Sequence, residues 1–150
     1  MSNDGIVIAE ECILMRSSAS SKRALITEAA SLLPAMDPDQ VLELIMAREH
    51  LGSTGIGHGV AIPHSRMPDL QAPVITLVRH PDGMDFDAID GKPVYIVVML
   101  LVPDDDSNHH LELLAKLARM LQQQSFRHAV IQAKNTQTIV DLFAGNIQPS

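Results

Sequence analysis

Val94-Tyr95-Ile96-Val97-Val98-Met99-Leu100-Leu101-Val102 is the longest apolar run in the chain. It is rich in β-branched residues, which suit a pleated backbone, and it is apolar at odd and even positions alike. A strand that alternates polar and apolar residues can leave one face in water; this one has no face to spare. The run therefore reads as a central strand covered on both sides. Its nine residues fall far short of the roughly 20 that cross a bilayer as a helix.

Upstream of the run, Gly91-Lys92-Pro93 leads in, and Pro81 to Asp90 is rich in turn formers. Val74-Ile75-Thr76-Leu77-Val78 and Val60-Ala61-Ile62 read as shorter strands. Gly52-Ser53-Thr54-Gly55-Ile56-Gly57-His58-Gly59 carries four glycines in eight residues and is expected to be irregular. Ahead of it, Asp37-Pro38-Asp39-Gln40 combines a capping residue, proline at the first helical position and glutamine at the third. Val41, Leu44 and Ile45 continue as an apolar stripe, so a helix should run to about Glu49. Ser20 or Ser21 can cap an earlier helix through about Leu33, with Leu25, Ala29, Leu32 and Leu33 at helical spacing and Pro34 ending it. Residues 1–19 have weak periodicity, with room for a short strand around Ile13-Leu14-Met15.

Downstream, Asp104-Asp105-Asp106-Ser107 brings a loop and a helix start. Leu111, Leu114, Ala118 and Leu121 predict a helix from Asn108 to about Gln124, with Leu111 and Leu114 turned toward the core. Two shorter helices should follow near Ser125–Ala133 and Thr136–Ala144. Strands interleaved with helices around one doubly covered strand predict an α/β sandwich. Periodicity leaves the strand order open.

Length and composition limit what such a sandwich can do. The 150 residues suit one domain, 1–150, of ordinary size, able to bury about 68–70% of the unfolded chain's surface. Eleven Lys and Arg against 18 Asp and Glu give a net charge of −7. That balance disfavours nucleic-acid binding, which needs a basic face to displace counterions. With only Phe86, Tyr95, Phe126 and Phe143 aromatic, base-stacking platforms are disfavoured too. Cys12 is the lone cysteine and has no disulfide partner within the chain. Met1-Ser2-Asn3-Asp4-Gly5 lacks the basic and apolar stretches of a secretory leader, so the expectation is a cytoplasmic protein with no membrane insertion.

Of the seven histidines, His50, His58, His64, His80, His109, His110 and His128, most read as solvated surface imidazoles. His64 differs. It follows Val60-Ala61-Ile62-Pro63 directly, and Pro63 lacks an N–H, so the strand should stop there and present His64 at its edge. The glycine-rich loop just upstream would let a bulky anion approach the backbone, whose N–H groups could form an anion nest. Arg48, at the end of the preceding helix, has a forked guanidinium suited to an oxyanion, although a helix-end cation also suits the helix dipole. His109 and His110 open the long helix, where the dipole lowers imidazole basicity and one of the pair should point near the sheet edge.

Other chemistries have less support. The loop has no Gly-Lys-Ser/Thr and no G-x-G-x-x-G spacing, so nucleotide binding is not expected. No H-x-x-x-H, H-E-x-x-H or Cys/His spacing marks a metal site. Ser53 and Ser65 lack a G-x-S-x-G elbow, and no carboxylate pair stands out. Neither a metal nor another cofactor is expected.

Gly52 to His64, reading GSTGIGHGVAIPH, closely resembles the active-site signature of phosphotransferase-system enzyme IIA, fructose/mannitol type, and its Gly-Ser-Thr-Gly-Ile-Gly wording is most similar to the nitrogen-related regulatory branch. Arg48-Glu49, Phe86 to Val94, Leu101-Val102-Pro103 and His110-Leu111 extend the resemblance over nearly the whole chain. The resemblance implies a mixed β-sheet with helices on both faces. It implies that His64 accepts a phosphoryl group on Nε2 from the phosphohistidine of a carrier protein. It also implies that His110 is a second active-site histidine, that Arg48 stabilises charge, and that Ser53, Thr54, Gly55 and Gly57 belong to the phosphate loop. Ser65 departs from the family's usual glycine after the histidine. For output, the resemblance suggests regulatory targets such as potassium-transport regulators or sensor kinases. Two alternatives remain: a sugar-transport enzyme IIA passing phosphate to a IIB domain, and a binding module without chemistry.

Overall fold

The computed structural model describes residues 5–104 and 108–149 and shows how the central strand organises the sheet. Its strands are β1 (Ile13–Leu14), β2 (Gly55–Gly57), β3 (Val60–Ala61), β4 (His64–Met67), β5 (Val74–Met84) and β6 (Val94–Pro103). Its helices are α1 (Lys22–Ser31), α2 (Pro38–Glu49), α3 (Asn108–Gln122), α4 (Gln124–Gln132) and α5 (Thr136–Ala144). The strands form one mixed sheet in the order β1-β5-β6-β3-β2, with β4 also pairing β6. β5 is antiparallel to β6, whereas β3 and β4 both lie parallel to it.

The doubly covered reading of β6 holds. Ile96, Val98, Leu100 and Val102 pack toward Leu117, Leu121, Phe126, Val130, Ile139 and Phe143 of α3, α4 and α5. Val97, Met99 and Leu101 pack toward Leu25, Ile26, Ala29, Val41 and Ile45 of α1 and α2. Two apolar layers thus sandwich the sheet, and helices flank both faces. No helix is long and apolar enough to cross a membrane among the described residues.

The helix starts follow their capping chemistry. Ser21 Oγ accepts from the Ala24 N–H at 3.0 Å, and Asp37 accepts from the Asp39 N–H at 3.0 Å, with Pro38 in the first turn. Each satisfies an amide that the first helical turn leaves unpaired. Leu111 departs from expectation: it is exposed, and Leu117 and Leu121 bury the face of α3 instead.

Three stretches differ from the sequence reading. The glycine segment is not wholly irregular, because Gly55–Gly57 forms β2, antiparallel to β3 with a register shift. Strand β5 does not end at Val78 but runs through Pro81 to Met84, with its register against β6 shifting between Arg79 and Met84. Finally, the strand before His64 breaks at Ile62-Pro63 as expected, but its line along β6 resumes at His64. Ala61 pairs with Val97 and His64 with Leu100, an advance of three residues on both strands. β3 and β4 are therefore one line along β6, broken at Ile62-Pro63 where proline has no N–H to give. The Leu100 N–H still donates to the Pro63 carbonyl at 2.9 Å, which carries the register through the break. His64 opens the second half of that line.

Candidate active site

His64 is half-buried at the start of β4. Its Nδ1 lies 2.8 Å from the Ile62 carbonyl oxygen. A carbonyl can only accept, so Nδ1 carries the hydrogen, and in the neutral ring the lone pair is on Nε2. Burial is the main influence lowering the His64 pKa; the Ile62 hydrogen bond opposes it, Arg48 adds to the lowering and Glu49 opposes it. The neutral form, with Nε2 free as a nucleophile, is thereby favoured.

His110, in the first turn of α3, stands edge-on to this ring: the centroids are 5.7 Å apart and the planes meet at 84°. The register of β4 on β6 and the first turn of α3 bring together two imidazoles that are 46 residues apart in sequence. Arg48 lies in the last turn of α2, where its Nη1 donates to the Gly52 carbonyl at 2.8 Å. It holds the beginning of the glycine loop while its charge reaches His64. Arg48, His64 and His110 are thus gathered from three separate elements.

The loop is braced by polar contacts rather than apolar burial. Glu49, buried at the end of α2, accepts from the Thr54 N–H at 3.3 Å and from the Thr54 hydroxyl. It also pairs with Lys22 Nζ at 3.0 Å, and Lys22 lies over the Phe86 ring, 4.8 Å from its centroid. Ser53 Oγ donates to the Phe86 carbonyl at 2.7 Å and accepts from the Gly55 N–H at 3.0 Å. The hydroxyls of Ser53 and Thr54 and the amide of Gly55 therefore hold the loop against its neighbours.

The segment 86–91 forms the other wall. A Cβ on Gly55 would stand 2.8 Å from the Ala88 Cα, so only glycine allows the two backbones this close. The Gly55 carbonyl accepts from the Ile89 N–H at 3.3 Å, and Asp90 accepts from the His58 N–H at 3.1 Å. That contact holds His58 with a φ of 60°, a backbone shape few non-glycine residues take.

Glu49 and Asp90 lie in blocks that the sequence reading matched to the family but to which it gave no role, and Lys22 lies in none of them. Glu49 did carry a signal: a carboxylate in the last turn of a helix opposes the dipole, which asks for a compensating contact. Lys22 is distant in sequence and carries none. Cys12 is half-buried, with Sγ 3.8 Å from the Leu32 carbonyl. Ser65 Oγ donates to the Arg66 carbonyl at 3.0 Å, which keeps that hydroxyl on its own strand. Among the described residues no three His, Cys, Asp or Glu converge as a metal site would require.

A mixed sheet between two helical layers, presenting paired imidazoles at the break in a strand, defines a class of histidine-centred α/β proteins. The chain belongs to the EIIA 2 family of the phosphoenolpyruvate-dependent sugar phosphotransferase system, whose model matches residues 6–146, and so to that system's phosphoryl-carrying components. It is 36% identical over 133 residues to a nitrogen regulatory protein of Pseudomonas aeruginosa, covering 86% of each chain. The crystal structure of nitrogen regulatory protein IIA-Ntr from Neisseria meningitidis superposes with a TM-score of 0.87 at 35% identity, over 91% of this chain and 96% of that one. A fructose-specific EIIA component of Haloferax volcanii is 35% identical over 108 residues, 72% of this chain and 70% of its own.

Proposed function

We propose that the chain is a phosphohistidine carrier that accepts a phosphoryl group on His64 Nε2 from the phosphohistidine of a carrier protein, and that its phosphorylation state regulates partner proteins in the cytoplasm. The observation that carries this reading is the hydrogen bond from His64 Nδ1 to the Ile62 carbonyl, which leaves Nε2 as the nucleophile. In the transfer, the donor's N–P bond breaks while a bond forms from the Nε2 lone pair to phosphorus. The donor imidazole keeps the electron pair of the broken bond. One N–P bond replaces another, so the step is readily reversible.

Such a transfer asks little covalent chemistry of the protein and much positioning and charge stabilisation. Arg48 supplies positive charge beside His64, and His110, edge-on to the ring, hydrogen-bonds the phosphoryl group or its neighbour. Ser53, Thr54, Gly55 and Gly57 shape the loop that receives it. Phosphorylation adds about −1.5 to −2 charges at this face, enough to release a partner that docks only on the unmodified form. The likeness to nitrogen regulatory proteins favours regulatory targets, such as potassium-transport regulators or sensor kinases.

A second reading has support of its own. The likeness to a fructose-specific EIIA component favours onward transfer from His64 to a IIB domain. Both readings share the first step. Labelled phosphate supplied through purified energy-coupling enzyme and carrier protein should mark the wild-type chain with acid-labile, base-stable label. His64→Ala should take none, and His110→Ala should be labelled more slowly. Label persisting on His64→Ala would overturn the assignment; transfer from His64 to a IIB protein would favour the second reading.

A further inference from the structure

His80 is no surface imidazole: it is 4% exposed, on β5 beside the register shift that follows Arg79. Its Nε2 lies 2.8 Å from the Ala19 carbonyl oxygen, so Nε2 carries the hydrogen and Nδ1 of the neutral ring holds a lone pair. Nδ1 is buried and has no hydrogen-bond partner. His80 lines a cavity of about 160 Å³ with Arg16, Arg79, Pro81, Tyr95 and Ile131.

The polar chemistry of this cavity is one-sided. Arg79 spends Nε on the Met15 carbonyl at 3.1 Å. It spends Nη1 on the carbonyls of Val130, Ile131 and Ala133, at 2.9, 3.1 and 2.7 Å. These bonds close the C-terminal end of α4 and leave Nη2 uncommitted. Arg16 is exposed, and among the described residues it has neither a hydrogen bond nor an ion pair. Burial, and then the charge of Arg16, hold the Arg79 pKa below its ordinary value. The two guanidiniums are therefore within electrostatic reach of each other. No carboxylate lines the cavity, although the chain as a whole carries a net charge of −7.

Two cations left without a carboxylate in an acidic protein make a place for an external anion. We infer that this cavity binds a small oxyanion, a phosphate or carboxylate group. The forked guanidiniums match such an oxyanion in shape as well as charge. A cavity of about 160 Å³ suits hydrogen phosphate, the phosphate of a small ester or a three-carbon hydroxy acid.

The site is separate from the one around His64. His64 pairs with Leu100, and Tyr95 lies five residues back along β6, roughly 17 Å at the usual strand rise. The two are nonetheless joined by backbone. The Tyr95 N–H donates to the Gly59 carbonyl at 2.8 Å, and a Cβ on Gly59 would stand 3.1 Å from the Tyr95 ring. The cavity's tyrosine thus abuts the turn from β2 into β3.

Amide NMR of the full chain tests the inference without reference to phosphoryl transfer. Sodium phosphate, glycerol phosphate and sodium lactate are titrated separately, each against sodium chloride at matched ionic strength. The expected result is saturable shifts at Arg79, His80 and Tyr95 with at least one oxyanion. Phosphate or its ester acting alone would identify the phosphoryl class, and lactate acting alone the hydroxy acids. Arg16→Gln should weaken binding at least tenfold while leaving the thermal midpoint unchanged. Equal shifts in chloride, shifts confined to residues 52–64, or an Arg16→Gln chain that titrates like the wild type would each overturn it.

Discussion

Strand β6 and the segment from Gly52 to Met67 lie side by side in one sheet but are held by different forces. β6 is fixed by apolar burial repeated along its length: Ile96 to Val102 are all buried, each against a helical layer. The glycine segment is fixed by a few polar contacts, chiefly those of Glu49, Ser53, Thr54 and Asp90. Redundant burial makes a strand that sets the register of everything beside it. Sparse polar bracing makes a loop whose shape depends on single side chains. The division places the proposed chemistry on the second kind of structure and the rigidity on the first.

The largest expected effect that would sharpen this contrast is in β6. Leu100→Ala removes a fully buried side chain and should cost about 2–5 kcal/mol by chemical denaturation. A loss below 1 kcal/mol would mean that the core tolerates a cavity there and that β6 is not the rigid partner. Glu49→Gln comes next. It leaves an acceptor for Thr54 but removes the charge that faces Lys22, at a cost of about 1.5–3 kcal/mol. Since Glu49 holds the His64 pKa up, a proton titration followed by NMR should find it lower still in this variant.

Arg48→Gln should be the mildest for stability, at about 0.5–1.5 kcal/mol for the lost bond to the Gly52 carbonyl. Its main consequence is electrostatic: without the cation, the His64 pKa rises, and phosphoryl acceptance slows. An unchanged His64 titration would break the link between Arg48 and the ring. In the wild-type chain the His64 pKa is lowered by folding, so the folded state binds fewer protons than the unfolded one. Its contribution to stability is complete above the unfolded value of about 6.5. That contribution is lost as pH falls through the folded value.

What the sequence disclosed follows the same division. Val94–Val102 could be read as a doubly covered strand because burial is written into every residue of it. Asp37-Pro38 and Ser21 marked helix starts because capping is local. The glycine segment was misread as wholly irregular because β2 owes its pairing to β3 and to the wall at Ala88–Asp90, neither of which shows in glycine content. Pro63 correctly marked a break but concealed the continuation, since β6 supplies the register on the far side. His64, Arg48 and His110 were singled out through a family resemblance, and the structure brings the three near one another. The bracing role of Glu49 and the burial of His80 depend on tertiary contacts that no local pattern carries.

The account rests on which nitrogen of His64 is free. Long-range proton–nitrogen NMR, recorded on the ring before and after phosphoryl transfer, reads this directly. The prediction is a neutral ring protonated at Nδ1 before transfer and carrying phosphorus on Nε2 afterwards. A ring protonated at Nε2, or phosphorus on Nδ1, would contradict it.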